Sequence, residues 1–179
     1  MNLKKITIIS IITIFIISFL SHNLYEWIPN TFTSIFFPVN ESIWEHQKMA
    51  FTSIMIYGII EYFLLKKVKH NNFILSLFVS SIITILLVIS IFTPIYYLMD
   101  KKDNLFITLS IYLFSIIIGQ IVAYYLLKSK KHYKTLNTVS LILIPIFFMI
   151  FGILTYNPIK NDLFYDNVKQ KYGIYIYYE

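Results

Sequence analysis

Long apolar runs alternate with short polar breaks along this chain, and five of the runs are long enough for a helix to cross a bilayer. They fall at about residues 3–23, 43–65, 73–98, 105–127 and 136–156. At about 1.5 Å of rise per residue, roughly twenty residues cover about 30 Å of hydrocarbon. The pattern predicts an all-α polytopic membrane protein, a bundle of five transmembrane helices over residues 1–156, followed by a polar tail, 157–179. The first run has no small-x-small cleavage site near Ser18-Phe-Leu-Ser-His22, so it reads as an uncleaved first span. Ile28-Pro29-Asn30 breaks it. The apolar run 31–37 is too short to cross and reads as a re-entrant or interfacial loop. The tail ends in Gly-Ile-Tyr-Ile-Tyr-Tyr, the pattern of a short strand or a surface-lying segment.

Composition supports the membrane class. The 179 residues are 58% hydrophobic and only 13% charged, with a mean hydropathy of +0.69. Soluble domains carry about 25% charged residues. The absence of cysteine excludes disulfides, iron–sulfur clusters, thiolate zinc sites and cysteine nucleophiles. All the basic residues are lysines, so bidentate guanidinium recognition of phosphate is not available.

The net charge of +6 sorts by loop instead of forming a nucleic-acid patch. The start and the breaks after the second and fourth spans hold lysines 4, 5, 66, 67, 69, 128, 130, 131 and 134 and no acid. The other side holds lysines 48, 101, 102, 160, 169 and 171 with acids 26, 41, 45, 100, 103, 162, 166 and 179. The positive-inside rule then predicts a cytoplasmic N-terminus and an extracytoplasmic C-terminus. The expected setting is the cytoplasmic membrane of a bacterium, with the lipid bilayer as partner and no nucleic acid.

One stretch concentrates the chemistry. Pro38-Val-Asn-Glu-Ser-Ile-Trp-Glu-His-Gln-Lys48 places two carboxylates, a histidine, an amide and an ammonium beside a bilayer, where such groups are costly. Ser42-x-x-Glu45 reads as a capping box, with Asn40 as a rival cap. Glu41, Glu45 and Lys48 follow i, i+4, i+7 and make one polar stripe on the first two turns of the second helix, with His46 about 100° away. At the end of the first span, His22 and Glu26 are four apart and share a face if the helix reaches them.

These residues support two expectations. His22, Glu26, Glu45 and His46 are nitrogen and oxygen donors suited to zinc, manganese or iron, and Glu45, His46 and Glu26 are the catalytic candidates should such a metal activate water. The spacing lacks the zincin pattern, and Glu45 and His46 point apart on a helix, so a metal would need a ligand from the first span. The other expectation is a polar clamp, in which Glu45 caps, Lys48 pairs with Glu41 or Glu45, and Tyr25, Trp27 and Trp44 sit in an aromatic belt. Glu61 reads as a helix-end carboxylate reaching toward Lys66 or Lys67. Asp162 and Asp166 could pair with Lys169 or fold back over the mouth.

The string Phe37-Pro-Val-Asn-Glu-Ser-Ile-Trp-Glu-His-Gln-Lys48 resembles the signature of a family of small, uncharacterised bacterial integral membrane proteins, mainly from Gram-positive lineages. His22-Asn-Leu-Tyr-Glu26-Trp27 and Leu163-Phe-Tyr-Asp166 with Tyr172-Gly173-Ile174 extend the resemblance, although Asn167 stands where that family suggests proline. The resemblance implies the architecture and the importance of the polar stretch, not a reaction. The expected function is a membrane protein whose extracytoplasmic cluster (His22, Glu26, Asn40, Glu41, Trp44, Glu45, His46 and Lys48) binds a small ligand, ion or partner beneath the tail. The alternative is a membrane-embedded, metal-dependent hydrolase acting on a lipid or peptide.

Overall fold

A computed structural model describes residues 2–102 and 104–174. It is helical, with six helices: α1 (Leu3–Trp27), α2 (Thr31–Phe36), α3 (Ile43–Leu65), α4 (Phe73–Leu98), α5 (Leu105–Lys128) and α6 (Lys134–Tyr156). All but α2 are long and apolar enough to cross a membrane. The first helix runs four residues past the expected end at 23, so His22 and Glu26 both lie on it. The interfacial run is not a loop. It forms α2, because the Asn30 side chain accepts from the Thr33 N–H while Thr33 Oγ1 accepts from the Asn30 N–H, a reciprocal cap.

Helices α1, α3, α4 and α5 close a ring in that order, and α6 lies outside it against α4, α3 and α2. Small residues permit the close approaches. The buried face of α1 is Ile6, Ser10, Ile14, Ser18 and Ser21, one position per turn or so. Ser18 Oγ meets the Tyr112 hydroxyl of α5 at 2.6 Å, and Ser21 Oγ meets Ser53 of α3 at 3.2 Å. On α5, a Cβ at Gly119 would sit 2.8 Å from the Ser80 carbonyl oxygen of α4. The core gathers Ile14, Phe51, Ile54, Tyr57, Ile116 and Phe151. The outer faces are apolar as well; Ile8, Ile12 and Ile16 of α1 and Ile142, Met149 and Ile153 of α6 are exposed, a surface suited to lipid.

At the lysine-rich end, Asn72 ties the break after α3 to the break after α5. Its amide donates to the Leu126 and Lys131 carbonyls and its Oδ1 accepts from Tyr133 N–H and Asn137. Glu61 does not reach Lys66 or Lys67. It is 3% exposed, and Lys66 lies over the rings of Tyr62 and Phe63 instead.

The tail folds back across the opposite end. Strands β1 (Tyr165–Asp166) and β2 (Lys171–Tyr172) pair antiparallel. Residues 175–179, which include most of the terminal Gly-Ile-Tyr-Ile-Tyr-Tyr run, and Asp103 of the turn after α4 lie outside the described residues. Asp162 leaves Lys169 aside and pairs with Lys101 at 2.7 Å.

Candidate functional site

The polar stretch does not act as one cluster. The backbone divides it in two, because α3 begins at Ile43 and Glu41 is therefore outside the helix. The expected Glu41–Glu45–Lys48 stripe does not form. Ser42 Oγ accepts from the Glu45 N–H at 3.3 Å, as a cap should. Glu45 does not complete the capping box: the Ser42 N–H goes to Asn40 Oδ1, and Glu45 Oε2 accepts from the Val39 N–H at 3.1 Å.

The first half is a buried knot. Glu45 and Lys48 are 2% and 0% exposed and their charged atoms lie 2.6 Å apart. Lys48 also donates to the Ser34 carbonyl of α2 and to Thr155 of α6, and Thr155 Oγ1 lies 2.9 Å from Glu45 Oε1 as a donor. A buried ion pair is stable only when its remaining lone pairs and protons are satisfied. Here they are. Glu45 and Lys48 thus join α2, α3 and α6 and are not free to hold a metal.

The second half is a triangle of donors. His22 Nε2 and His46 Nε2 are 3.1 Å apart. Glu41 Oε2 is 3.6 Å from the first and 3.5 Å from the second. Glu41, not the expected Glu26 or Glu45, is the carboxylate that meets the histidines. Glu26 is exposed on the next turn of α1 and lines a smaller cleft with Tyr25, Asn40 and Lys169. The hydrogen bond from His22, with the nearby charges of His46 and Lys169, holds the Glu41 carboxyl below the usual carboxylate range.

Further contacts orient both rings. His46 Nδ1 lies 2.9 Å from the Ser42 carbonyl, which only accepts, so Nδ1 carries a hydrogen. His22 Nδ1 lies 3.5 Å from Asn23 Oδ1. Two ring nitrogens and a carboxylate oxygen this close need a proton or a cation between them. With metal–nitrogen and metal–oxygen bonds of about 2.0–2.1 Å, a tetrahedral ion separates its ligand atoms by about 3.3 Å. The observed 3.1–3.6 Å edges fit one such ion.

All three residues line a cavity of about 420 Å³ inside the four-helix ring. Its walls include Phe15, Phe19, Met49, Val88, Leu109 and Ile111, and Tyr165 and Asn167 of the tail close its outer side. The tail is held there by named contacts. Asn40 donates to the Gly173 carbonyl, the Trp44 N–H to Leu163 and the Glu41 N–H to buried Asp166, while Trp44 stacks on Phe164 with ring centres 4.9 Å apart. Asn40 and Trp44 therefore hold the tail and do not line the cavity.

Gln47 escaped the sequence reading although it lies inside the polar string, one position beyond His46. Its side chain is fully buried and lines the cavity. Its Nε2 donates to the Ile43 carbonyl, and its Oε1 has no hydrogen-bond partner among the described residues.

No curated protein and no solved structure matches the chain. The sequence pattern of the DUF6512 family, a family of unknown function, matches residues 1–174, and by that match the chain belongs to it.

Proposed function

We propose that the protein is a multi-pass protein of a bacterial cytoplasmic membrane, with its N-terminus inside, that binds a divalent cation at His22, Glu41 and His46 on its outer side. The convergence of two imidazole nitrogens and a carboxylate oxygen within 4.8 Å of one another carries this reading. Nitrogen and oxygen donors in a two-histidine, one-carboxylate set suit zinc, manganese or iron. The lysine asymmetry supports the orientation, and the apolar outer faces of the helices support insertion.

A hydrolase acting on a lipid or peptide is the second reading. Three protein ligands leave a fourth position for water, and here that position adjoins an apolar cavity.

Metal content by mass spectrometry on detergent-purified protein tests the site. Wild type is expected to carry about one equivalent of metal, lost in His46→Ala and strongly reduced in Glu41→Gln. Glu45→Gln, in the other half, is expected to retain it. Folded wild-type protein that takes up no zinc, manganese or iron would overturn the proposal.

A further inference from the structure

We infer that the cavity inside the ring of α1, α3, α4 and α5 seats a single-chain amphiphile from the bilayer, with a small hydroxyl-bearing head beneath the His22–Glu41–His46 triangle. Only the position of the head rests on the proposed cation site. The rest stands on the shape and lining of the cavity.

The lining is divided by polarity. His22, Glu41, His46 and Gln47 cluster at one end, on α1, α3 and the turn before α3, and the hydroxyls of Ser18, Thr108 and Tyr112 are the polar groups farther in. Phe15, Val88, Phe92, Leu109 and Ile111 supply the apolar wall. A volume of about 420 Å³ is within the range of about 300–1,000 Å³ typical of small-molecule sites, which are mostly apolar with a few convergent polar groups. A soluble polar metabolite would leave that apolar wall unmatched. A pure hydrocarbon would leave the polar end unmatched.

Gln47 names the head. One of its amide hydrogens goes to the Ile43 carbonyl, and its Oε1, an acceptor, has no partner among the described residues. A buried acceptor left unsatisfied costs about 1–3 kcal/mol, so the missing partner is a donor, as a hydroxyl is and an ionised carboxylate is not.

The openings indicate where the ligand comes from. Glu41 is exposed at the polar end. Phe19 of α1 and Leu105 of α5, near the helix ends that adjoin the polar groups, line the cavity and are also 48% and 72% exposed, which points to a side opening between those two helices.

The test is saturation binding of radiolabelled 1-monomyristoylglycerol to the full chain in phosphatidylcholine nanodiscs, with metal content measured on the same samples. Wild type is expected to bind about one molecule per chain. Leu109→Trp fills the cavity and is expected to abolish binding while the metal content is unchanged; Val88→Phe makes the same test should Leu109→Trp not fold. Gln47→Met, which removes the acceptor, is expected to weaken binding about tenfold. Absence of saturable binding to wild type, or binding that both cavity-filling variants leave intact, would overturn the inference. Myristate binding as tightly as the glyceride would overturn the assignment of the head. Saturable binding to metal-free protein leaves this inference standing and removes the cation site; metal without binding does the reverse.

Discussion

His22 and His46 stand 24 positions apart in the chain, yet their Nε2 atoms lie 3.1 Å from each other. Neither helix alone produces this meeting. The Ser21–Ser53 contact brings α1 and α3 close, and the Ser42 carbonyl turns the His46 ring so that its free nitrogen faces α1. Glu41 can join them because α3 starts two residues after it.

The buried Glu45–Lys48 pair should respond to mutation as a unit. Lys48→Met leaves the Glu45 carboxylate buried and uncompensated, a change that costs about 3–5 kcal/mol in buried pairs. The double variant Glu45→Gln, Lys48→Met restores neutrality, and its amide oxygen still accepts from the Val39 N–H; it should recover most of that loss. Unfolding in mixed detergent micelles measures both. A single variant as stable as wild type would show that the pair does not hold α2, α3 and α6 together.

Two glycines in helix interfaces predict unequal costs for the same substitution. At Gly119 an added Cβ meets the Ser80 carbonyl oxygen at 2.8 Å, and backbone cannot retreat without moving a helix. Gly119→Ala should destabilise by about 1–3 kcal/mol. At Gly58 the clash is with the end of the Leu77 side chain at 2.7 Å, which can rotate, and alanine regains up to about 1 kcal/mol of helix propensity. Thermal unfolding should rank Gly119→Ala well below Gly58→Ala.

Asp162 anchors the tail to the turn after α4, and its pH dependence has a definite sign. Hydrogen bonds from Lys101 and Tyr97 hold its carboxyl below the ordinary range. A group with a lowered folded pKa contributes fully above its unfolded value, about 3.9, and loses that contribution as pH falls through the folded value. The same contacts raise Lys101, so its share is present below about 10.4 and is lost as pH rises through the folded value. Both groups are at the surface, so salt should weaken the contact. The protection factor against hydrogen exchange at residues 161–174, corrected for the intrinsic pH dependence of exchange, should be flat at mid-range pH, fall at either extreme, and be lowered at mid-range pH in Asp162→Asn. Equal exchange in wild type and variant would remove Asp162 as an anchor.

The cysteine-free sequence makes topology directly measurable. A single cysteine replacing Lys130 should be shielded from a membrane-impermeant maleimide in intact cells. One replacing Lys160 should be labelled. The reverse pattern would invert the proposed orientation.

The long helices could be read from hydropathy because each apolar run is bounded by a strong stop: Ile28-Pro29, the lysines at 66 and 67, the Asp100 turn and the lysines from 128. Hydropathy said nothing about which helices close a ring, since all their faces are apolar. The site was half legible. His22 and His46 were named from donor type, but Glu41 was placed on the wrong side because the stripe assumed it was helical. Capping settled the matter at Asn40 and Ser42, whose hydrogen bonds start the helix after Glu41. Gln47 was passed over because an amide carries no charge to mark it. Asn72, which bridges two breaks, looks in the sequence like one asparagine among many.

The hairpin across Asn40 and Trp44 also sets an order of assembly. Residues 161–174 follow α6, so they can pack here only after all five long helices have been made. Until then the Glu41 N–H lacks Asp166, the Trp44 N–H lacks Leu163, and Trp44 lacks Phe164. A nascent chain halted after α6 would carry both histidines beneath an open mouth. Completion of the pocket therefore requires that the tail has been made, and in the proposed orientation that it has also been exported.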